Sequence, residues 1–347
     1  MKFRTLEYQN GVLTLIDQRI LPLQVEYLSY DSLEGVIFSI ADMVVRGAPA
    51  IGAAAGYGFA IGIREIAQKG VVPTLEQAAE IKTKLDASRP TAVNLMWATQ
   101  RMLDAYRKFA PETPEEAIAG MDREAQAIYD EDVASCKAIS DNGASLVEEG
   151  FTILTHCNAG ALATTAYGTA VGVITAAHDQ GKKIRVYADE TRPRLQGARL
   201  TSWELFHHGV PVTLISDSVA ATLIRDKKID MVVVGADRIA ANGDTANKIG
   251  TFMLSAMCKW YNVPFYIAAP LSTIDFDIAT GAEIEIETRS GEELRVIDGV
   301  RIALEEIPVF NPAFDVSPHE NITAIITDRG IARPPYLQSL QALRKAR

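Results

Sequence analysis

The sequence contains few cysteines, and its basic residues do not outnumber its acidic ones. Three cysteines in 347 residues are too few for a disulfide framework, and the first residues lack the apolar core of a secretory signal. A formal net charge of −10 leaves no basic surface of the kind that nucleic-acid binding requires. These absences predict a cytoplasmic protein with no nucleic-acid partner.

Long runs of large apolar side chains are absent as well. Two uncharged stretches, 47–63 and 159–177, consist largely of Gly, Ala and Thr rather than Leu, Ile and Phe. The first is also shorter than the roughly 20 residues that a transmembrane helix needs. We therefore expect buried helices in both stretches and no membrane partner.

Three familiar ligand-binding patterns are missing too. The glycines between Gly56 and Gly62 resemble a dinucleotide fingerprint, but the last is one residue late and no strand pattern precedes them. The chain has no Walker-type Gly-Lys-Ser/Thr loop, and its histidines are not spaced with cysteines as zinc ligands are. We expect no metal site, and we expect the glycine-rich stretch to be a helix-packing face.

Hydrophobic periodicity separates a helical part of the chain from a strand-rich part. Residues 6–8 and 12–16 have the pattern of two strands around Asn10-Gly11, a dipeptide typical of tight hairpins. Apolar residues then recur at three- and four-residue spacing from about residue 31 to 150, which predicts helices. Because the chain exceeds the roughly 100–150 residues of a typical domain, two domains are expected.

Beyond residue 150, short apolar runs alternate with longer segments, which predicts a parallel sheet covered by helices. The predicted strands are 151–155, 184–188, 212–215, 231–235 and 264–268. The expected fold class is α/β, with a small, mainly helical N-terminal domain over residues 1–125 that starts with a β-hairpin. A Rossmann-like parallel-sheet domain follows over residues 126–347, and its last stretch, 275–347, is expected to extend or wrap the sheet.

Two of these strands end at side chains suited to acid–base chemistry. Cys157 follows the first strand of the sheet domain, and Asp237 follows the strand that ends at Gly235. In open α/β sheets, ligands bind at the carboxyl ends of strands, where the strand order reverses. A helix predicted to begin near Ala161 would favour the thiolate of Cys157. The alternatives are a packing role for Cys157 and a helix N-cap role for Asp237.

Two polar segments of the same domain are candidates for substrate binding. Asn247 and Lys248 end a predicted polar loop before a helix, and a lysine at a helix N-terminus is unfavourable unless an anion binds there. Gln196 lies in a charged segment after the second strand, and its amide can both donate to and accept from sugar hydroxyls. A salt-bridged helix start is the alternative for that segment.

Two arginine-containing turns interrupt the helical part. Arg46 precedes Gly47-Ala48, whose backbone N–H groups would be available to an oxyanion, and Arg89 precedes Pro90. Solvated surface arginines are the alternative for both positions.

Taken together and in order, six segments resemble the methylthioribose-1-phosphate isomerase family. They are Arg46–Gly52, Ser88–Leu95, Thr155–Gly160, Glu190–Pro193 with Gln196-Gly197, Gly235–Arg238 and Asn247–Thr251. The resemblance implies an enzyme of methionine salvage that converts 5-methylthioribose 1-phosphate to 5-methylthioribulose 1-phosphate. It implies that Asp237 is the proton donor and Cys157 the second catalytic group. The substrate contacts that it implies are Arg46, Gly47, Ala48, Arg89, Gln196, Asn247 and Lys248.

The same resemblance implies a homodimer that uses no metal or organic cofactor. An aldose with phosphate on C1 cannot open spontaneously to an aldehyde, so the enzyme must open the ring with the phosphate attached. We expect Asp237 to be partly buried, with a raised pKa, so that it can protonate the ring oxygen. We also expect the site to draw on both domains.

Three other functions fit parts of the sequence. A sister isomerase would act on 5-deoxyribose 1-phosphate or ribose 1,5-bisphosphate and would differ at the pocket for C5. A regulatory subunit, of the kind found in the eukaryotic translation-initiation nucleotide-exchange factor, would share the fold but would not need an acid and a thiol. A nicotinamide-binding domain is disfavoured by the missing fingerprint.

Overall fold

The computed structural model describes residues 3–90 and 92–345, which form two compact units. The first unit extends to Cys136 and includes Gly160–Gly168, and the second contains Lys137–Ala159 and the chain from Thr169 onward. The sequence predicts a domain boundary after residue 125. In the structure that position lies inside an unbroken helix, Pro114–Ala144, so the change of unit falls within a helix rather than in a linker.

The first unit starts with a three-stranded antiparallel sheet, and helices follow it. Its strands and helices are β1 (Leu6–Gln9), β2 (Val12–Ile16), β3 (Tyr27–Tyr30), α1 (Leu33–Ala41), α2 (Ala48–Ala67), α3 (Leu75–Ser88), α4 (Val93–Phe109) and α5 (Pro114–Ala144). The predicted hairpin is confirmed: Asn10 and Gly11 have φ values of 52° and 84°, the left-handed conformation that two-residue hairpins require. The third strand, β3, was not predicted.

Helix α2 is the buried centre of the helical unit. An added Cβ at Gly58 would lie 2.8 Å from Val36 Cγ1, and one at Gly62 would lie 3.0 Å from Ile81. The glycines therefore let α1 and α3 approach α2 closely, which confirms the predicted helix-packing face. None of the helices in the described part of the chain is both long and apolar enough to cross a membrane.

The second unit alternates strands and helices, as the sequence predicts. Its elements are β4 (Thr152–Thr155), α6 (Ala170–Asp179), β5 (Arg185–Asp189), α7 (Ser202–His208), β6 (Val212–Ile215), α8 (Val219–Arg225), β7 (Met231–Val234), β8 (Arg238–Ala240), β9 (Thr245–Lys248), α9 (Thr251–Tyr261), β10 (Phe265–Ala268), β11 (Ile274–Asp275), α10 (Glu292–Arg295), β12 (Val296–Ile297), β13 (Val300–Arg301), β14 (Phe314–Ser317), β15 (Ala324–Thr327), β16 (Gly330–Ala332) and α11 (Tyr336–Lys345).

The main sheet of this unit has seven strands in the order β16-β15-β10-β7-β4-β5-β6. All neighbours are parallel except β15 and β16, and all five predicted strands lie in this sheet. The chain proceeds from β4 outward to β5 and β6 and then crosses to the other side of β4 to form β7. The strand order therefore reverses between β4 and β7.

A second sheet, in the order β11-β8-β9-β14, extends the structure beyond β7. The sequence predicts a polar loop up to Lys248, but the loop is shorter in the structure because Thr245–Lys248 forms strand β9. This strand pairs with β8 on one side and with β14 on the other. Only 241–244 form the turn, in which Asn242 Oδ1 accepts from Asp244 N. The C-terminal stretch supplies β14, β15 and β16, so it extends both sheets as expected.

The segment after β4 contradicts the predicted helix near Ala161, and the buried helix predicted over 159–177 forms only from Ala170 onward. Only a three-residue 3₁₀ turn forms at Ala161–Ala163, and α6 begins at Ala170. Distant side chains bond to the backbone of this segment: Gln18 Nε2 donates to Leu162 O at 2.8 Å, and Thr165 N donates to Asp132 Oδ2 at 2.8 Å. These contacts within the first unit compete with helical hydrogen bonds.

Candidate active site

Cys157 and Asp237 follow adjacent parallel strands at the point where the strand order reverses. Cys157 comes two residues after β4, and Asp237 comes three residues after β7. The two connections approach each other closely, since an added Cβ at Gly235 would lie 2.8 Å from Ala159 Cβ. This is the location at which open α/β sheets bind ligands.

The turn that carries Cys157 is strained and heavily hydrogen-bonded. Cys157 has a φ of 64°, and Thr191, which bonds to it, has the same positive φ although its side chain is β-branched. Cys157 N donates to Thr191 Oγ1 at 2.8 Å, and Thr201 Oγ1 donates to Cys157 O at 2.5 Å. Positive φ at non-glycine residues costs about 1–3 kcal/mol and persists only where the surroundings enforce it. The half-buried thiol is therefore presented by an enforced backbone conformation rather than by a helix N-terminus.

A buried histidine–aspartate pair lies beneath this turn. His156 Nδ1 and Asp189 Oδ2 are 2.9 Å apart, and His156 Nε2 lies 2.9 Å from Ile249 O. Burial raises the pKa of Asp189 to about 6 although the His156 hydrogen bond opposes this shift. Burial alone would lower the pKa of His156, but its hydrogen bond to Asp189 and the carboxylate charges outweigh it, and the pKa is raised. Sequence reasoning missed this pair, although the adjacency of His156 to Cys157 was a usable signal.

The structure corrects the expected environment of Asp237. Its side chain is exposed rather than partly buried, because the residue lies in the short connection between the two sheets. Its backbone N donates to Ala246 O at 2.9 Å, which joins it to β9. A strand follows Asp237 rather than a helix, so the N-cap alternative is wrong.

Asn247 and Lys248 are the last two residues of β9, and both are buried. Lys248 Nζ donates to Ala313 O at 2.9 Å and lies 4.6 Å from the centre of the Phe314 ring. The anion expected at the following helix is provided by the protein itself: Asp315 accepts from Gly250 N at 2.7 Å and from Phe252 N at 2.9 Å. The N-terminus of α9 is thus already capped by a carboxylate.

Gln196 is buried beside the same strand ends. Its Oε1 has no hydrogen-bond partner among the described residues. Gln196 is the residue directly before a π-helical turn, Gly197–Thr201. A buried amide oxygen without a partner is costly, so it is suited to accept from a ligand hydroxyl. The charged residues around it also form ion pairs, such as Arg194 with Glu293, so the salt-bridge interpretation of this segment holds for those residues.

The remaining predicted residues lie together at one end of the helical unit. Arg46 and Gly47 precede α2, Ala48 begins that helix, and Arg89 follows the last residue of α3 in the connection to α4. The first turns of α2 and α4 touch, because an added Cβ at Gly52 would lie 3.2 Å from Asn94 O. Thr91 of the second arginine turn lies outside the described residues.

Two groups of side chains in the described part of the chain have metal-like spacing. They are His156, Asp189 and Asp217, and Asp244, His319 and Glu320. Most of their ligand atoms are already used within the protein. Asp217 accepts from Thr191 N and Arg192 N, and Asp244 accepts from Gly281 N and His319 N. Both groups therefore act as hydrogen-bond networks that hold loops.

Comparison with known proteins gives similarity over the full length of the chain. The sequence profile of the Initiation factor 2 subunit family matches residues 44–334. Methylthioribose-1-phosphate isomerase of Caldanaerobacter subterraneus is 56% identical over 343 residues, which cover 99% of both chains.

Two solved structures are similar over the same extent. The crystal structure of 5-methylthioribose 1-phosphate isomerase from Pyrococcus horikoshii is 43% identical with a TM-score of 0.92, covering 99% of this chain and 97% of that one. A structure described as translation initiation factor eIF-2B, subunit delta, from A. fulgidus is 42% identical with a TM-score of 0.89, covering 99% and 100%. Both neighbours share the α/β fold described above.

Proposed function

This chain belongs to the methylthioribose-1-phosphate isomerase family, within the Initiation factor 2 subunit family, and from this membership we propose that it is an aldose–ketose isomerase. It converts 5-methylthioribose 1-phosphate to 5-methylthioribulose 1-phosphate in methionine salvage. The observation that supports this activity best is the placement of Cys157 and Asp237 on adjacent strand ends, where the sheet order reverses.

Asp237 acts as the general acid of ring opening. Its carboxyl gives a proton to the ring oxygen as the bond from that oxygen to C1 breaks, and C1 is left with oxocarbenium character. Because the side chain is exposed, bound substrate must cover the carboxyl and exclude water before it can hold this proton.

Cys157 acts at the second step, in which C1 gains hydrogen and C2 becomes a carbonyl. In one route its thiolate removes the C2 proton and an enediol-like species forms; C1 is then protonated while the C2 hydroxyl loses its proton, which leaves the carbonyl at C2. In the other route the C2 hydrogen moves to C1 as hydride, the C2 hydroxyl loses its proton, and Cys157 only stabilises charge. Deuterium from solvent at C1 of the product would rule out a pure hydride route.

Substrate binding uses cationic side chains, backbone N–H groups and amide side chains. Arg46, Gly47, Ala48 and Arg89 provide cationic groups and backbone N–H donors for the phosphate, and Lys248 adds a buried ammonium. Gln196 and Asn247 take the sugar hydroxyls. The unpaired Oε1 of Gln196 supports this assignment, because a hydroxyl donor would satisfy it.

The active protein is a cytoplasmic homodimer. Symmetric dimers are the commonest oligomers. Large exposed apolar side chains support an interface, including Trp260 at 78% exposure and Phe310 at 83%. Three free cysteines fit a reducing compartment.

The activity is tested by incubating the purified protein with 5-methylthioribose 1-phosphate, without metal or nucleotide, and following the C1 and C2 signals by NMR. We expect ketose 1-phosphate from the wild type. We expect Cys157→Ala and Asp237→Asn each to lower turnover by at least about 100-fold, because each removes a proton-transfer or charge-stabilising group.

Two matched variants control for structural effects. Cys258→Ala removes a buried thiol from the apolar core, and Asp277→Asn removes an exposed carboxylate; both should retain wild-type turnover. A folded wild type that leaves this substrate unchanged but converts 5-deoxyribose 1-phosphate or ribose 1,5-bisphosphate would indicate a sister isomerase. Failure on all three substrates would favour a regulatory subunit.

A further inference from the structure

His156 connects three segments of the sheet unit that flank proposed site residues: those next to Cys157, Gln196 and Lys248. It directly precedes Cys157, and its Nδ1 bonds to Asp189, which ends β5 just before the loop that leads to Gln196. Its Nε2 bonds to the carbonyl of Ile249, the residue after Lys248. The ring is only 1% exposed.

We infer that His156, held by Asp189, is a positioning residue that fixes the turn carrying Cys157 to the turn carrying Lys248. This inference rests on the proposed function for the roles of Cys157 and Lys248. The packing around the ring supports it, because an added Cβ at Gly250 would lie 3.0 Å from His156 Cε1. The turn after Lys248 is therefore in direct contact with the imidazole.

The protonation of the pair follows from its hydrogen bonds. A carbonyl only accepts, so His156 Nε2 carries a proton and donates to Ile249 O. The bond between Nδ1 and Asp189 Oδ2 needs one more proton, held by one of the two partners. The pKa of His156 is raised by its hydrogen bond to Asp189, and burial raises the pKa of Asp189, so both shifts favour retention of this proton. Other charges near the pair are those of Asp217, Glu190 and Asp315, with Lys248 beside Asp315.

The strain at Cys157 explains why such a residue is needed. The left-handed backbone of Cys157 would relax if its neighbours did not enforce it. Thr191 and Thr201 hold the N–H and the carbonyl of Cys157, but both lie on the same side, after β5. His156 supplies a side-chain hydrogen bond that reaches the segment after Lys248.

Three variants separate the two hydrogen bonds of the imidazole. The amide nitrogen of His156→Asn falls near the position of Nδ1, so this variant can keep the Asp189 bond and loses the Ile249 bond. His156→Gln places its amide nitrogen near Nε2 and can keep the Ile249 bond. Asp189→Asn removes the charge but can still donate to Nδ1 of a neutral imidazole whose Nε2–H remains on Ile249 O.

A role of His156 in positioning the Cys157 turn and a role of the charge of the His156–Asp189 pair predict different kinetics for these variants. We expect His156→Asn to lower kcat about 10- to 100-fold and to raise KM, since small misplacements of reacting groups cost about this much. We expect His156→Gln to recover most of kcat and Asp189→Asn to stay within about threefold of the wild type. All rates are measured well below the unfolding temperature of each variant. His207→Asn makes the same substitution at a histidine whose Nδ1 lies 2.8 Å from Trp203 O; it is the matched control and should change neither constant.

A second measurement tests the inference independently of turnover. Iodoacetamide labelling of Cys157, followed by mass spectrometry, reports the position of the thiol, and the buried Cys136 and Cys258 are internal references. We expect faster labelling of Cys157 in His156→Asn than in the wild type and no change in His207→Asn. An inactive wild type would count against the proposed function, whereas the labelling result would still decide the inference.

Two outcomes would overturn the positioning role. Wild-type kcat, KM and labelling rate in folded His156→Asn would show that the Ile249 bond does not place the thiol. Equal losses of kcat in Asp189→Asn and His156→Asn would show that the charge of the pair matters rather than its geometry.

Discussion

Gly47 connects α1 to α2 with a backbone conformation that other residues adopt at a cost. Its φ is 90°, and an added Cβ would lie 2.4 Å from the backbone of Ala163. Gly70 has a similar φ of 80°, but an added Cβ there would have no atom within 4 Å. The pair therefore separates the cost of the backbone conformation from the cost of the close approach.

We expect Gly70→Ala to destabilise the protein by about 1 kcal/mol through its backbone conformation alone. Gly47→Ala should cost at least about 3 kcal/mol, because the backbone of Ala163 must move as well. Urea unfolding of both variants measures the difference. Equal losses would mean that the segment after β4 yields easily at Ala163.

Asp189 gives a prediction on pH. Its pKa is raised to about 6 from an ordinary value near 3.8, so its contribution to stability is present below about pH 4 and is lost as pH rises through about 6. The raised pKa of His156 adds a contribution that is present below about pH 6.5 and is lost as pH rises through the folded-state value. The folded pair thus binds more protons than the unfolded chain above about pH 4.

The stability advantage of the wild type over Asp189→Asn should therefore shrink as pH rises from 5 to 8. Each proton of difference contributes at most about 1.4 kcal/mol per pH unit. The free energy of unfolding of both proteins in urea, measured across this range, tests the sign. A constant advantage across this range would contradict the prediction, because it would mean that Asp189 is fully ionised in the folded state throughout.

At the level of elements, the N-terminus of α9 depends on a side chain from another strand. Asp315 of β14 accepts hydrogen bonds from Gly250 N and Phe252 N, so it satisfies two donors that the helix cannot. Burial raises the pKa of Asp315 although these two N–H groups favour its charged form. The carboxylate therefore joins the second sheet to the helix that follows Lys248.

We expect Asp315→Ala to destabilise the protein by about 1–3 kcal/mol, because two N–H groups at the helix N-terminus lose a charged acceptor. Asp315→Asn keeps one acceptor oxygen and should lose less. Thermal unfolding followed by circular dichroism gives the order of the three proteins. Unchanged stability in Asp315→Ala would show that water satisfies the helix terminus.

At the level of the whole molecule, the proposed homodimer is directly measurable. We expect sedimentation equilibrium to give twice the mass of the chain at micromolar concentration. Trp260→Asp and Phe310→Asp each place a charge on an exposed apolar position. If either position lies in the interface, its variant should shift the protein toward monomer, since an unpaired charge is costly to bury. A wild type that sediments as a monomer would contradict the proposed assembly.

The sequence predicted the elements whose signals are local. The hairpin at Asn10-Gly11 and the five parallel strands were found because turn chemistry and apolar runs act over a few residues. The adjacency of Cys157 and Asp237 was also predictable, because parallel strands deliver their carboxyl ends to one edge. Family resemblance then supplied the expected chemistry.

The failed predictions concern segments whose partners lie far away in the chain. Residues 161–168 have a helical composition, yet Gln18 and Asp132 take their backbone groups. Lys248 has the pattern of a loop residue before a helix, yet β14, more than 60 residues later, pairs with its strand, and Asp315 occupies the helix terminus. No local pattern encodes such contacts.

The sequence by itself thus determined the order and type of most elements, the strand ends that carry the thiol and the carboxylate, and the family. Only the tertiary structure decided the strained turn at Cys157, the exposure of Asp237 and the buried His156–Asp189 pair. The physical reason is that strand and turn propensities depend on residues that are close together in the chain. Burial, protonation and backbone strain depend on which distant groups the fold brings into contact.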